Sequence, residues 1–286
     1  MPEGHRFPML KYELLPEQLC YEGTIDRRQF FAPEPIELSV VKQVHDAVYV
    51  DRLVNLNLSK PEIRRIGFPL SAQLVERELR IAQGTVTACH HALIDGIAFN
   101  IAGGTHHAFK DAGEGFCLLN DQAIAAQYLL DLSIAKQVLI IDLDVHQGNG
   151  TAAIFEREKR VYTFSLHGQD NFPLHKEKSD LDIALPSGTG DDSYLYTLGE
   201  TLPSLLDEIQ PDFIFYQAGV DVLATDKLGK LKLSREGCKA RDKLVLIEAY
   251  RRKVPLVVCM GGGYSEKISD IIEAHANTYR LAKEIF

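Results

Sequence analysis

Asp142, Asp144 and His146 follow one another at alternate positions directly after the apolar run 138–141. In an extended chain residues i and i+2 point the same way. Asp144 and His146 can therefore face one cation, with Asp221 arriving from another segment. Two carboxylates and one imidazole leave an open position for water, which is the arrangement of a catalytic zinc site. The same donors also suit Fe(II), Co(II) or Mn(II). Asp142, further along that face, is better placed to orient a histidine than to bind metal. A surface salt bridge would explain Asp144 and His146 alone. It does not explain Asp221 in a Gly-Val-Asp turn behind a second apolar run.

His106 and His107 follow Gly103 and Gly104, so the backbone there can approach a substrate closely. A histidine beside an activated water can take its proton and later protonate a leaving amine, which departs poorly otherwise. Tyr264 follows Gly261, Gly262 and Gly263, and its phenol could donate to a developing oxyanion; the competing reading is a tyrosine packed under a glycine turn. The chain contains its own control in His90-His91. That pair lies in the helical stretch 87–93, with neither glycines nor a buried strand before it, and reads as a structural or surface pair.

The elements that must position these groups are visible as short apolar runs at 98–102, 138–141, 161–166, 213–217 and 256–260. Each is too short for a helix and almost free of polar residues, as strands buried on both faces of a parallel sheet are. Helical patterns alternate with them at 121–132 (with Asn120 as cap), 151–157, 193–209, 234–252 and 265–285. Alternation of this kind predicts an α/β fold, a mostly parallel sheet with helices on both faces. Four of the runs end in glycines plus His, Asp or Tyr. Ligands of open parallel sheets bind at the carboxyl ends of the strands, so the four clusters should meet there. A solvated loop explains one such ending and does not explain four. The N-terminal third is less regular. A helix is expected over 70–92, and loops with short helices over 33–68.

Composition is that of an ordinary globular chain: 286 residues, 45% hydrophobic and 25% charged. No long linker or repeat divides it, so a single domain over 1–286 is expected. The net charge of −9 argues against direct attraction to nucleic acid or anionic membranes. Five scattered cysteines without a C-x-x-C pair fit a reducing, cytoplasmic setting. No apolar run is long enough for a spanning helix, and the N-terminus lacks a signal-peptide layout.

Taken together, the motifs resemble those of the zinc-dependent histone deacetylases, most closely the class IV branch and its bacterial relatives. They are Pro2 to Met9, Gly103 to His107, Gly115-Phe116-Cys117, Asp142 to Gly150, Gly219 to Asp221 and Gly261 to Tyr264, spread over nearly the whole chain. The resemblance implies an arginase/deacetylase-like fold. It implies zinc on Asp144, His146 and Asp221, general base and acid at His107, and carbonyl polarisation by Tyr264. His106, paired with Asp142, would be an electrostatic partner near the metal water. Phe116 and Phe172 would wall a tunnel for the lysine stem, with Leu228 at its mouth and the Gly115 carbonyl facing the substrate amide. A structural potassium ion would map onto Asp142, Asp144, His146, Ser165 and Leu166. The implied substrate is an acylated lysine in a protein or peptide, or a small acetylated amine such as an acetylpolyamine.

Two departures from the family pattern matter. Asn149 stands where class I members carry an aspartate on the second histidine, so an altered rate or pH optimum is expected. Relatives also usually begin with a strand before the Pro-Glu-Gly-His motif. Its absence or truncation here would leave one sheet edge uncovered. A binuclear manganese hydrolase of the arginase type would need further aspartates where Val220 and Val222 stand. A non-catalytic acyl-lysine-binding module would not need His107 and Tyr264 beside a complete ligand set.

Overall fold

The computed structural model describes residues 6–286. Six strands form one sheet: β1 (Ile97–Asn100), β2 (Val138–Asp142), β3 (Val161–Gly168), β4 (Leu181–Leu185), β5 (Phe213–Gln217) and β6 (Leu256–Cys259). Their order is β1-β6-β5-β2-β3-β4, and every neighbouring pair is parallel. All strand ends of one kind thus lie along one rim. The four strands that precede the reactive clusters, β1, β6, β5 and β2, are consecutive in the sheet.

Alternation within the strands divides the core. On β2, Val138 and Ile140 face one apolar layer, while Leu139 and Ile141 face the other. On β5, Phe213 and Phe215 join the first layer, Ile214 and Tyr216 the second. Every residue of both strands is buried, and each fully buried aliphatic or aromatic side chain contributes roughly 1.5–3 kcal/mol.

The helices among the described residues are α1 (Lys11–Tyr21), α2 (Leu38–Val41), α3 (Ala47–Val54), α4 (Lys60–Ile66), α5 (Ala72–Asp95), α6 (Asp121–Asp131), α7 (Asn149–Phe155), α8 (Asp191–Ile209), α9 (Arg235–Arg252) and α10 (Ile268–Ile285). Side chains of α3, α5, α6 and α7 cover one face of the sheet, those of α8, α9 and α10 the other. Asn120 caps α6 as expected, its side chain accepting from the Ala123 amide at 3.0 Å.

Two elements depart from the sequence reading. Strand β4 was not anticipated, because its burial alternates and exposed Asp182 and Ala184 interrupt the apolar run. Helix α1 carries Pro16 inside it, which masks its helical pattern. β1 bonds to β6 alone and forms one margin of the sheet.

Candidate active site

Residues 143–146 lie beyond β2 in a bend, not in an extended strand, so the simple alternation argument does not apply to them. Asp144 and His146 converge for a different reason. The His146 amide donates to Asp144 Oδ1 at 3.0 Å, folding the segment so that His146 Nδ1 lies 3.0 Å from the same oxygen. Asp221, in the turn four residues beyond the adjacent β5, brings its Oδ2 to 3.1 Å from that nitrogen. The remaining carboxylate oxygens are held by backbone amides: Gly262 to Asp144 Oδ2 at 2.8 Å, and Val145 to Asp221 Oδ1 at 2.9 Å. A Cβ at Gly262 would run into both carboxylates, and one at Gly219 into Asp144, so glycine is required there by close approach.

The three donor atoms lie within 4.8 Å of one another and all three residues are buried. A tetrahedral ion with bonds of ~2.0–2.1 Å spaces its ligands by roughly 3.3 Å, so the set fits a small divalent cation with little adjustment. Electrostatics points the same way. Against the cost of burial, hydrogen bonds to Asp144 and Asp221 raise the His146 pKa to about 10. Burial, with the Asp144 charge beside it, pushes Asp221 up to about 7. Two buried carboxylates holding a proton on an imidazole mark a place where positive charge is favoured.

His106 and His107 approach from the neighbouring edge. His106 Nδ1 lies 2.7 Å from Asp142 Oδ2, and its Nε2 is 4.0 Å from Asp144 Oδ1. Burial opposes its protonation, but the charges of Asp142 and Asp144 outweigh that and lift it to about 8. His107 Nδ1 lies 2.7 Å from Asn149 Oδ1. An amide oxygen can only accept, so Nδ1 carries the proton and Nε2 keeps its lone pair. Burial, then the neighbouring His106 and His146, hold His107 well below the usual histidine range. One histidine is thus poised as a cation, the other as a base.

Tyr264 completes the ring, its centroid 6.5 Å from that of His146 and 6.1 Å from Phe116. Burial and the charges of Asp221 and Asp144 push its phenol up, keeping it a donor. Phe172 stacks edge-on to His107 at 5.0 Å and is partly exposed. Gly115 lies between them, where a Cβ would press on the His107 ring and on Phe172. Leu228 lies in the neighbouring loop, its carbonyl accepting from Asn171 Nδ2 at 2.8 Å. A cavity of about 40 Å³ is walled by His106, His107, Phe116, Asp144, His146 and Tyr264. Asp142 and Ser165 are in register on β2 and β3, with Leu166 next. The structure therefore brings together the residues singled out from sequence, except that Pro2 to His5 of the first motif lie outside the described residues.

Several supporting residues escaped the sequence reading. Buried Asp121 accepts from the amides of Gly104 and Thr105, at 3.1 and 2.8 Å, and so holds the loop of His106 and His107. Gln217 Nε2 donates to the Gly104 carbonyl at 2.9 Å; its signal was a polar residue closing an apolar run. Asp226 accepts from the amides of Tyr264 at 2.6 Å and Leu228 at 2.8 Å, joining rim to centre. Buried Lys11 donates to the Gly261 carbonyl at 2.9 Å, and burial lowers its pKa to about 8.

The histone deacetylase domain family matches residues 5–279. An uncharacterized protein of Picosynechococcus sp. is 43% identical over 286 residues, covering all of this chain and 95% of its own. Histone deacetylase 2 of Arabidopsis thaliana is 30% identical, covering 94% of this chain and 72% of its own. In architecture, a crystal structure of a histone deacetylase homologue from Aquifex aeolicus superposes with a TM-score of 0.83 at 24% identity. That match covers 99% of this chain and 80% of the other. The chain belongs to the histone deacetylase family of hydrolases.

Proposed function

We propose that the protein is a zinc-dependent deacylase that removes an acetyl or longer acyl group from the side-chain amine of lysine, acting as a single domain of class IV type. The observation that carries this reading is the pairing of a convergent Asp144–His146–Asp221 donor set with a neutral His107 whose Nε2 is unprotonated.

Asp144, His146 and Asp221 would hold the ion, zinc by preference and Fe(II) or Co(II) as alternatives. When bound, it supplies Lewis acidity toward the amide carbonyl and toward the attacking water. His107 Nε2 takes the proton of that water and delivers it to the leaving nitrogen. The Tyr264 hydroxyl donates to the carbonyl oxygen as negative charge develops there. His106, held cationic by Asp142, is the electrostatic partner beside the attacking water. Phe116 and Phe172 flank the lysine stem, Leu228 borders the entrance, and Gly115 offers its carbonyl to the substrate amide N–H. A structural potassium ion near Asp142, Asp144, His146, Ser165 and Leu166 belongs to the same reading. An open groove of about 1300 Å³ shares the wall residues Tyr12, Arg77 and Ala102 with the catalytic cavity.

Small acetylated amines are the second reading, since the same chemistry serves them. Among the described residues no helix is long and apolar enough to cross a membrane, and a cytoplasmic setting suits the unpaired cysteines. The test is hydrolysis of acetyl-, octanoyl- and myristoyl-lysine peptides by zinc-loaded protein, with acetylpolyamines in parallel. Tyr264→Phe should lower turnover by about 10²–10³-fold. Turnover of acetylpolyamines alone would replace lysine with the small amine as substrate. No turnover of either, at one zinc per chain, would sink the deacylase reading.

A further inference from the structure

Arg241 is among the largest side chains that the fold buries completely, with 0% exposure. It lies on α9, outside the catalytic cavity, and no proton-transfer step uses it. Its Nη1 donates to two carbonyls, Leu143 at 3.0 Å and Gly219 at 2.6 Å. Leu143 immediately precedes the ligand Asp144; Gly219 stands two residues before the ligand Asp221. One nitrogen thus spans the two chain segments that carry the ligand carboxylates. The guanidinium is itself fixed from behind. Its Nε donates to Asp242 Oδ1 at 2.9 Å. That carboxylate accepts also from the Tyr216 hydroxyl at 2.5 Å and, through Oδ2, from Thr278 at 2.7 Å. The chain of contacts runs from α10 through α9 into both ligand loops without an exposed member.

A buried arginine needs a reason, because a charge taken from water must be fully paired. Here one face of the guanidinium is neutralised by Asp242. The other is directed at two carbonyls in the separate loops that leave the paired strands β2 and β5. The Nη1 contacts add a link just before each ligand carboxylate, beyond the Leu143 N–H to Gln217 carbonyl bond at 3.2 Å that ends the strand pairing. Groups outside the coordination sphere that orient ligands typically change metal affinity or activity by about 10–100-fold when removed.

We propose that Arg241 is a positioning residue for the metal centre, a tether that sets the spacing of Asp144 and Asp221 through the Leu143 and Gly219 carbonyls. This rests on the metal reading above. Lysine at the position ends about one bond short of Nη1 and lacks the Nε–H that Asp242 fixes, and so should hold the two carbonyls less firmly.

The experiment is a competition titration of Zn²⁺ and Co²⁺ against a chelator, using the full chain with Arg241→Met, Arg241→Lys and Thr278→Val, alongside thermal unfolding. Arg241→Met should weaken binding by about 10–100-fold and alter the visible spectrum of the Co²⁺ form; in turnover, kcat should fall with KM little changed. Arg241→Lys should lie between it and wild type. Thr278→Val removes a bond of the same buried network that touches neither loop, and should lower the unfolding temperature with metal affinity within about twofold. Arg241→Met and Arg241→Lys that both bind metal and colour like wild type overturn the tether, even if both are less stable. If Arg241→Met does not fold, wild-type affinity and spectrum in Arg241→Lys overturn it alone. Wild-type protein that binds no divalent ion overturns the metal reading and this proposal with it.

Discussion

Two tandem histidine pairs lie sixteen residues apart in this chain, and they have different surroundings. His90 and His91 are exposed on the last turns of α5. His90 Nε2 lies 3.0 Å from the Tyr128 hydroxyl, and His91 stacks on Phe31 at 5.1 Å. His106 and His107 are buried to 4% and 5% exposure, each on a different polar partner and both beside the ligand carboxylates. Identical dipeptides therefore acquire different chemistry from depth and from partner. A carboxylate on His106 favours the cation, while an amide on His107 leaves a neutral base. The lesson is that a histidine becomes an acid or a base through what its second nitrogen touches.

The comparison is sharpened most by His107→Ala, which should lower kcat/KM by about 10²–10⁴-fold in a peptide deacylation assay. His91→Ala should leave kcat/KM unchanged. Equal losses would abolish the distinction between the pairs.

A third histidine separates burial from partnership. His45 is 1% exposed, and its Nε2 accepts from the Asn120 amide at 2.9 Å. Burial, with no carboxylate to offset it, lowers its pKa to about 4. The folded state prefers neutral His45, so this contribution is fully present above the unfolded value near 6.5. It is lost as pH falls through 6.5 toward 4. Integrated over that window it amounts to about 3 kcal/mol. Urea unfolding of wild type and His45→Gln between pH 7 and 4 should show a flatter acid limb in the variant; parallel curves would assign the acid loss elsewhere.

Exchanging the partner should convert one kind of histidine into the other. Asn149→Asp places a carboxylate on His107 and raises its pKa. Since the base must be neutral, the acid limb of the kcat/KM–pH profile should move up by about one unit. An unmoved limb would mean that His107 does not set it. The smallest effect belongs to the surface pair. His90→Ala should change stability by no more than about 0.5 kcal/mol, checked by thermal unfolding.

The strands and the Asp144–His146–Asp221 cluster were legible because they obey local rules. The apolar runs that became β2 and β5 are buried on both faces, and polar residues after them have few structural excuses. β4 was invisible because Asp182 and Ala184 face solvent at the sheet margin. The supports were harder still. Asp121 reads as an ordinary first-turn helical acid, and Arg241 as one of several charges on α9. Only the fold shows that these side chains turn inward onto backbone atoms more than a dozen residues away in sequence. The expected i, i+2 extended geometry of Asp144 and His146 gives way to a bend that brings the two side chains together through the His146 amide.

The sheet order has a consequence in time. The Val145 amide and the Asp221 carboxylate, 76 residues apart in sequence, are bonded because β5 inserts beside β2. During synthesis the chain therefore presents Asp144 and His146 long before their third partner exists. Two donors on a nascent bend would hold an ion poorly, so the candidate centre would not template the first half of the molecule. The candidate centre closes only after a long-range pairing, which is a slow class of folding event, and an ion held there would report that β5 has paired beside β2.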